Sequence, residues 1–112
     1  MTKNFGWHVI YNHLRRKQDD TIDIELAELL KEVMPPRFSR GLDGYDTMTF
    51  ECFLDATPRQ VEILLERFPD LLDEAGHYFA YYGKKDIVHS LIAKGCNLNY
   101  VAAGAIKGLR EI

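Results

Sequence analysis

Apolar residues recur along this chain with the period of an α-helix, and no stretch alternates long enough to make a sheet. Ile22, Leu26, Leu29, Leu30 and Val33 fall at i, i+4, i+7, i+8 and i+11, a single stripe down one helix face. Asp23, Glu25, Glu28 and Glu32 point largely elsewhere. Val61, Leu64, Leu65 and Phe68 form a second stripe. Ile87, Val88, Leu91 and Ile92 form a third. Trp7, Ile10, Tyr11 and Leu14 fit one face of a first helix and read as core or capping packing.

Polar and helix-breaking residues place the boundaries. The first helix begins after Asn4 and runs to about Lys17; the second begins near Asp20-Thr21 and stops at Pro35-Pro36, where proline removes a donor and clashes with the preceding turn. Residues 35–46, PPRFSRGLDGYD, read as a loop or a short hairpin finger. The third helix runs from Thr47 to near Ala56. Thr57-Pro58-Arg59-Gln60 then gives a start signal: Thr57 caps, Pro58 suits the first helical position and Gln60 completes a capping box. Pro69 ends that fourth helix. A fifth covers about Glu74–Tyr82 up to Gly83, a sixth Lys85–Lys94 up to Gly95, and a seventh Val101–Arg110. Helices of two or three turns are marginal alone, so their stability must come from packing on neighbours.

The helical segments repeat. An offset of 27 lays Val61 on Val88, Leu64 on Leu91, Leu65 on Ile92 and Leu71 on Leu98, and it lays Thr47 on Glu74 and Phe50 on His77. Residues 21–34 fit again at an offset near 35. Internal similarity of this length is a solenoid signature.

Over residues 74–100 the chain resembles the ankyrin-repeat family, whose repeat is about 33 residues long. His77 falls on the histidine of that family's Thr-Pro-Leu-His motif and Ala80 on the second of its paired alanines. Gly83, Ile87, Val88, Leu91, Ile92, Gly95, Leu98 and Asn99 match the rest. In the preceding copy Thr47 takes the motif's threonine, while Phe50 stands for the histidine and Cys52-Phe53 for the alanines. The chain departs from the family where Pro69-Asp70-Leu71-Leu72 replaces Gly-Ala-Asp-Val, and 69–73 is too short for a full finger. The resemblance implies an all-α domain over 1–112: a short solenoid of stacked helix-turn-helix repeats, about three in number, with irregular capping helices. It implies left-handed glycine caps at Gly83 and Gly95.

The resemblance also implies a protein-binding surface on the finger tips and on the exposed side of each first helix. The two positions before the mid-repeat glycine are Tyr81 and Tyr82, with Leu54 and Asp55 as their equivalents in the middle copy. The middle finger offers Tyr45 and Asp46. Of the neighbouring tyrosines, Tyr78 takes an apolar family position and is assigned to the core, leaving Tyr81 and Tyr82 as exposed anchors.

Charge sharpens the picture of a partner. The chain of 112 residues carries a net charge of −3, which argues against general nucleic-acid binding. Residues 41–83 hold nine acidic and two basic residues, whereas 84–112 hold five basic and two acidic. An acidic middle would steer a partner with a basic patch. No apolar run nears the roughly 18–20 residues of a membrane helix. The start has no signal-peptide pattern, so a cytoplasmic protein with reduced thiols at Cys52 and Cys96 is expected.

Catalytic signals are weak. His8, His13, His77 and His89 make no zinc spacing, and no nucleophile elbow or phosphate loop appears. A Cys52–His77 dyad stays open, with a core role as the alternative for each residue. The expectation is a binding protein rather than an enzyme, without cofactor or metal. Two forms remain: a small adaptor or inhibitor, of the immunity-protein or anti-defence type, or a self-associating assembly subunit whose apolar C-terminal helix (Val101, Ala105, Ile106, Leu109) docks on copies.

Overall fold

Helix ends in this chain are set by side chains and glycines at the boundaries, and the helices between them are short. The computed structural model describes residues 7–16, 19–33 and 48–108. Seven α-helices occupy this stretch: α1 (Trp7–Leu14), α2 (Asp20–Glu32), α3 (Met48–Cys52), α4 (Pro58–Arg67), α5 (Leu72–Tyr81), α6 (Lys85–Ala93) and α7 (Leu98–Gly108). A 3-10 turn, Pro69–Leu71, leads into α5. No β-strand occurs among the described residues, so the architecture is all-α. The helices fall into two compact units, Met1–Arg67 and Phe68–Ile112. The expected finger at 35–46 lies outside the described residues.

In the first unit two N-caps form, an unexpected one at Asp19 and the expected one at Thr57. Asp19 accepts from the Ile22 amide at 3.0 Å and starts α2. At α4 the capping box closes in both directions: the Gln60 amide donates to Thr57 Oγ1 at 3.2 Å, and the Thr57 amide donates to Gln60 Oε1 at 3.1 Å. The stripe of α2 is inward, with Ile22, Leu26, Leu30 and Val33 buried. The third helix is shorter than expected. After Cys52 the backbone tightens into i to i−3 bonds, Phe53 to Phe50, Leu54 to Glu51 and Ala56 to Phe53. Pro58 disfavours helical geometry at Thr57 and ends the run.

Two ties join α2 and α4. Gln60 Nε2 donates to Asp23 Oδ1 at 3.2 Å, and Arg67 Nε donates to the Leu30 carbonyl at 3.2 Å. Each spans 37 residues, so the two helices run in the same direction. His13 links α1 to α2. It is buried, and its Nε2 donates to the Ile22 carbonyl at 3.0 Å while Nδ1 accepts from Arg16 at 3.3 Å. The neutral Nε2–H tautomer satisfies both partners. Arg16 continues to Glu25 at 2.9 Å.

In the second unit both glycines adopt the left-handed conformation, Gly83 at φ 70° and Gly95 at φ 99°. Each sits in a Schellman cap: Gly83 and Lys84 donate to Ala80 and Phe79, and Gly95 and Cys96 donate to Ile92 and Leu91. Asn97 then starts α7, accepting from the Asn99 amide at 2.9 Å. The most extensive helix pairing is α5 with α7. Gly104 lies against the His77 carbonyl and Gly108 against the Tyr81 carbonyl, so closely that a Cβ at either would strike backbone. Both pairs are 27 positions apart, and an advance of four on one helix matches four on the other. Helix α7 therefore runs parallel to α5.

Candidate functional site

The C-terminal turn of α5 gathers three tyrosines. Tyr78 is buried, packing edge-on to Phe79 at 5.4 Å between ring centroids. Tyr82 lies on Tyr78 at 4.8 Å, one helical turn further on, and Tyr81 meets Tyr82 edge-on at 4.9 Å. Tyr81 and Tyr82 are each 40% exposed. The division expected from sequence therefore holds, with one tyrosine in the core and two on the surface. Tyr82 is held between two other rings, which limits the rotamer entropy it would lose on being covered. The Gly83 turn follows at once and delivers Lys84 and Lys85 to the start of α6.

Lys107 joins this region through the packing of α7. Its neighbour Gly108 abuts the Tyr81 backbone. Its charge reaches His77, whose pKa is lowered from the usual 6.5 by burial first and by Lys107 second; a hydrogen bond with the Tyr100 backbone acts in the opposite direction. His77 is thus a structural link between α5 and α7. Lys84, Lys85 and Lys107 were not singled out from the sequence. No periodic signal marks Lys107, because it reaches this region only through the packing of α7 on α5.

The other expected contact residues belong to the first unit. Leu54 is half-buried and Asp55 is exposed. Asp55 borders an open pocket of about 340 Å3 between Tyr11, Leu14, Arg15 and Arg16 on one side and Glu51 and Cys52 on the other. Tyr45 and Asp46 lie outside the described residues. Tyr11, assigned with Ile10 and Leu14 to one packed face, is instead exposed while those two are buried. Its ring lies under the Arg15 guanidinium at 5.3 Å, and its hydroxyl accepts from Arg15 at 2.8 Å. The polar tip and that cation hold it at the surface.

Both cysteines are free thiols and buried. Burial, then the charge of Glu51, raises Cys52 from 9.0 to about 11; burial, then Asp73, raises Cys96 from 9.0 to about 11. A Cys–His pair activates by lowering the thiol pKa against an imidazolium. Cys52 belongs to the first unit and His77 to the second. Cys96 Sγ donates to the Leu72 carbonyl at 3.5 Å. Among the described residues no group of three or more His, Cys, Asp or Glu is placed to hold a metal ion. Among them, too, no helix is long and apolar enough to cross a membrane.

Comparison of the chain with family models, with curated proteins and with solved structures returns no match.

Proposed function

We propose that this chain is a protein–protein interaction module, built as a short array of ankyrin-like helical repeats and acting by covering a partner's surface. The observation that carries the reading is the Tyr81–Tyr82 pair, two half-exposed rings fixed against each other and against a buried third. Rigid, amphipathic aromatics of this kind are typical interface anchors. The repeat reading draws support from two parallel helix pairs, α2 with α4 and α5 with α7, and from the paired glycine caps. Parallel packing of equivalent helices is what stacked helical hairpins produce. Asp55 and Leu54, with Tyr45 and Asp46, would add a contact for a basic patch. In this reading the protein acts as a cytoplasmic adaptor or a small inhibitor, of the immunity-protein or anti-defence type, by occupying its partner's surface.

The test is capture of a partner from the native host, identified by mass spectrometry, followed by affinity measurement with Tyr81→Ala plus Tyr82→Ala. Loss of binding supports the surface. Unchanged affinity removes it.

A second reading, self-association, is favoured by α7. Leu98 is 61% exposed and Ile106 is 72% exposed, with exposed Ala102 between them on the same face. Of the residues expected to dock there, Val101 and Ala105 are buried, and Leu109 lies outside the described residues. Light scattering at high concentration separates the readings: a strict monomer rules out assembly through α7.

A further inference from the structure

We infer that the Tyr81–Tyr82 surface takes an acidic protein segment, one that places a carboxylate beside an apolar or aromatic side chain. This rests on the reading of that pair as a binding surface and gives its partner a charge. Three observations converge on it. First, among the described residues, three lysines are brought near the tyrosines by the chain and by helix packing. Lys84 and Lys85 follow directly after the Gly83 turn, and Lys107 is brought alongside by the contact of Gly108 with Tyr81. Lys85 and Lys107 are exposed. Second, α6 starts beside the pair with no side-chain cap, because Lys84 at its N-cap has no acceptor. The Lys85 amide is engaged by the Gly83 carbonyl at 3.0 Å, and the positive end of the helix dipole still favours a nearby anion. Third, the exposed rings of the pair offer area for an apolar neighbour of that anion.

The acids nearby do not cancel this. Asp73 is engaged by the Asn97 amide at 2.8 Å. Glu74 lies in the first turn of α5, at the opposite end of that helix from the tyrosines. Asp86 alone shares the first turn of α6 with the lysines. The basic patch expected of a partner from the acidic segment 41–83 therefore does not suit this surface, whose complement has the opposite sign. Tyrosines among lysines would also suit single-stranded nucleic acid. The net charge of −3 opposes a long polyanion more strongly than a short segment with few acidic residues.

The experiment is an amide chemical-shift titration of the full chain with three probes. Two are synthetic peptides of equal length, each with a central Leu-Phe pair flanked by glutamates in one and by lysines in the other. The third is an oligothymidylate of matching charge. The glutamate peptide is expected to shift the amides of Tyr81, Tyr82, Lys85 and Lys107, and added salt is expected to weaken it. Lys85→Glu with Lys107→Glu is expected to cut its affinity by about tenfold or more, with the amides of the first unit unmoved. An equal response to the lysine peptide overturns the charge assignment while leaving the tyrosine surface intact. Tighter binding of the oligonucleotide overturns the choice of protein. If neither peptide moves Tyr81 and Tyr82, the surface itself is wrong and this inference falls with it.

Discussion

Gln60 Nε2 donates to Asp23 Oδ1 at 3.2 Å, tying the first turn of α4 to α2 across 37 residues. The same side chain closes the Thr57 cap through its Oε1, and it is fully buried. One amide therefore serves local and long-range structure together, which explains why glutamine rather than glutamate completes this box. Gln60→Ala should cost about 1–3 kcal/mol, the range for a lost cap plus a buried hydrogen bond. Gln60→Glu should also destabilise, although a capping box accepts glutamate, because it sets a second carboxylate against Asp23. Urea denaturation of the two variants checks both. A fully stable Gln60→Glu would show that the tie to Asp23 contributes nothing.

Helix α7 can approach α5 only because Gly104 has no side chain. A Cβ there would meet the His77 carbonyl, with the carbonyl carbon only 2.9 Å away. Alanine improves helix propensity by about 1 kcal/mol. Overpacking against rigid backbone costs about 1–3 kcal/mol, so the clash should win. Gly104→Ala is expected to lower the melting temperature, and Gly108→Ala, which faces the Tyr81 carbonyl in the same way, should do likewise. Ala102 is exposed on the same helix, and Ala102→Gly should cost only its propensity. Calorimetry on the three variants orders them.

Helix positions were legible because their signals are local: a capping box at Thr57–Gln60, glycine at 83 and 95, proline at 35 and 69. Boundaries moved where the signal was weak. Helix α5 begins at Leu72 rather than near Glu74, since Pro69 starts a 3-10 turn that feeds straight into it. The offset of 27 was legible between residues 61–72 and 88–99. Its extension to α7 was hidden, because the residues that meet α5 are glycines, which leave no apolar stripe to match. The exposed tyrosines could be named from the resemblance. Lys84 and Lys85 stand beside them in the sequence, but Lys107 could not be named, because it reaches them through helix packing. Leu71 and Leu98 are matched in sequence, yet the first is buried and the second is 61% exposed. A periodic pattern marks which residues are equivalent, not whether a neighbour is there to cover them.

Gly95 tests backbone conformation without steric interference. A Cβ at this position would meet nothing within 4 Å, yet φ is 99°. Gly95→Ala should therefore destabilise by about 1–2 kcal/mol from the left-handed conformation alone. Gly95→Asn should cost less, since asparagine tolerates this region better than other residues. Equal losses from alanine and asparagine would point to a cause other than φ. Equilibrium unfolding of both variants measures the difference.

The two buried thiols predict a loss of stability on the alkaline side. Each is raised in the fold from 9.0 to about 11 by burial and a neighbouring carboxylate. The folded state therefore holds the proton more tightly than the unfolded chain. That contribution is fully present below pH 9 and is lost as pH rises through about 11. Cys52→Ala and Cys96→Ala should each flatten the decline across this window. Thiol labelling of the native protein at neutral pH should likewise be slow, and should quicken when the protein is unfolded in denaturant. Rapid labelling of the folded chain would contradict the burial of both groups.

His77 works in the acid range and reports on Lys107. Its pKa is lowered below 6.5, chiefly by burial and then by Lys107. A depressed folded value means the neutral ring is favoured in the fold. The stability this gives is present above pH 6.5 and is lost as pH falls through the folded value. Lys107→Gln removes one of the two causes, so the titration midpoint of His77 should rise but stay below its ordinary value, because burial remains. The hydrogen bond to the Tyr100 backbone, which favours the protonated ring, is unaffected by that substitution. An NMR titration of the His77 ring in both proteins reads the shift directly. An unchanged midpoint would place Lys107 too far from α5 to act on His77, and would remove it from the cations assigned to the Tyr81–Tyr82 surface.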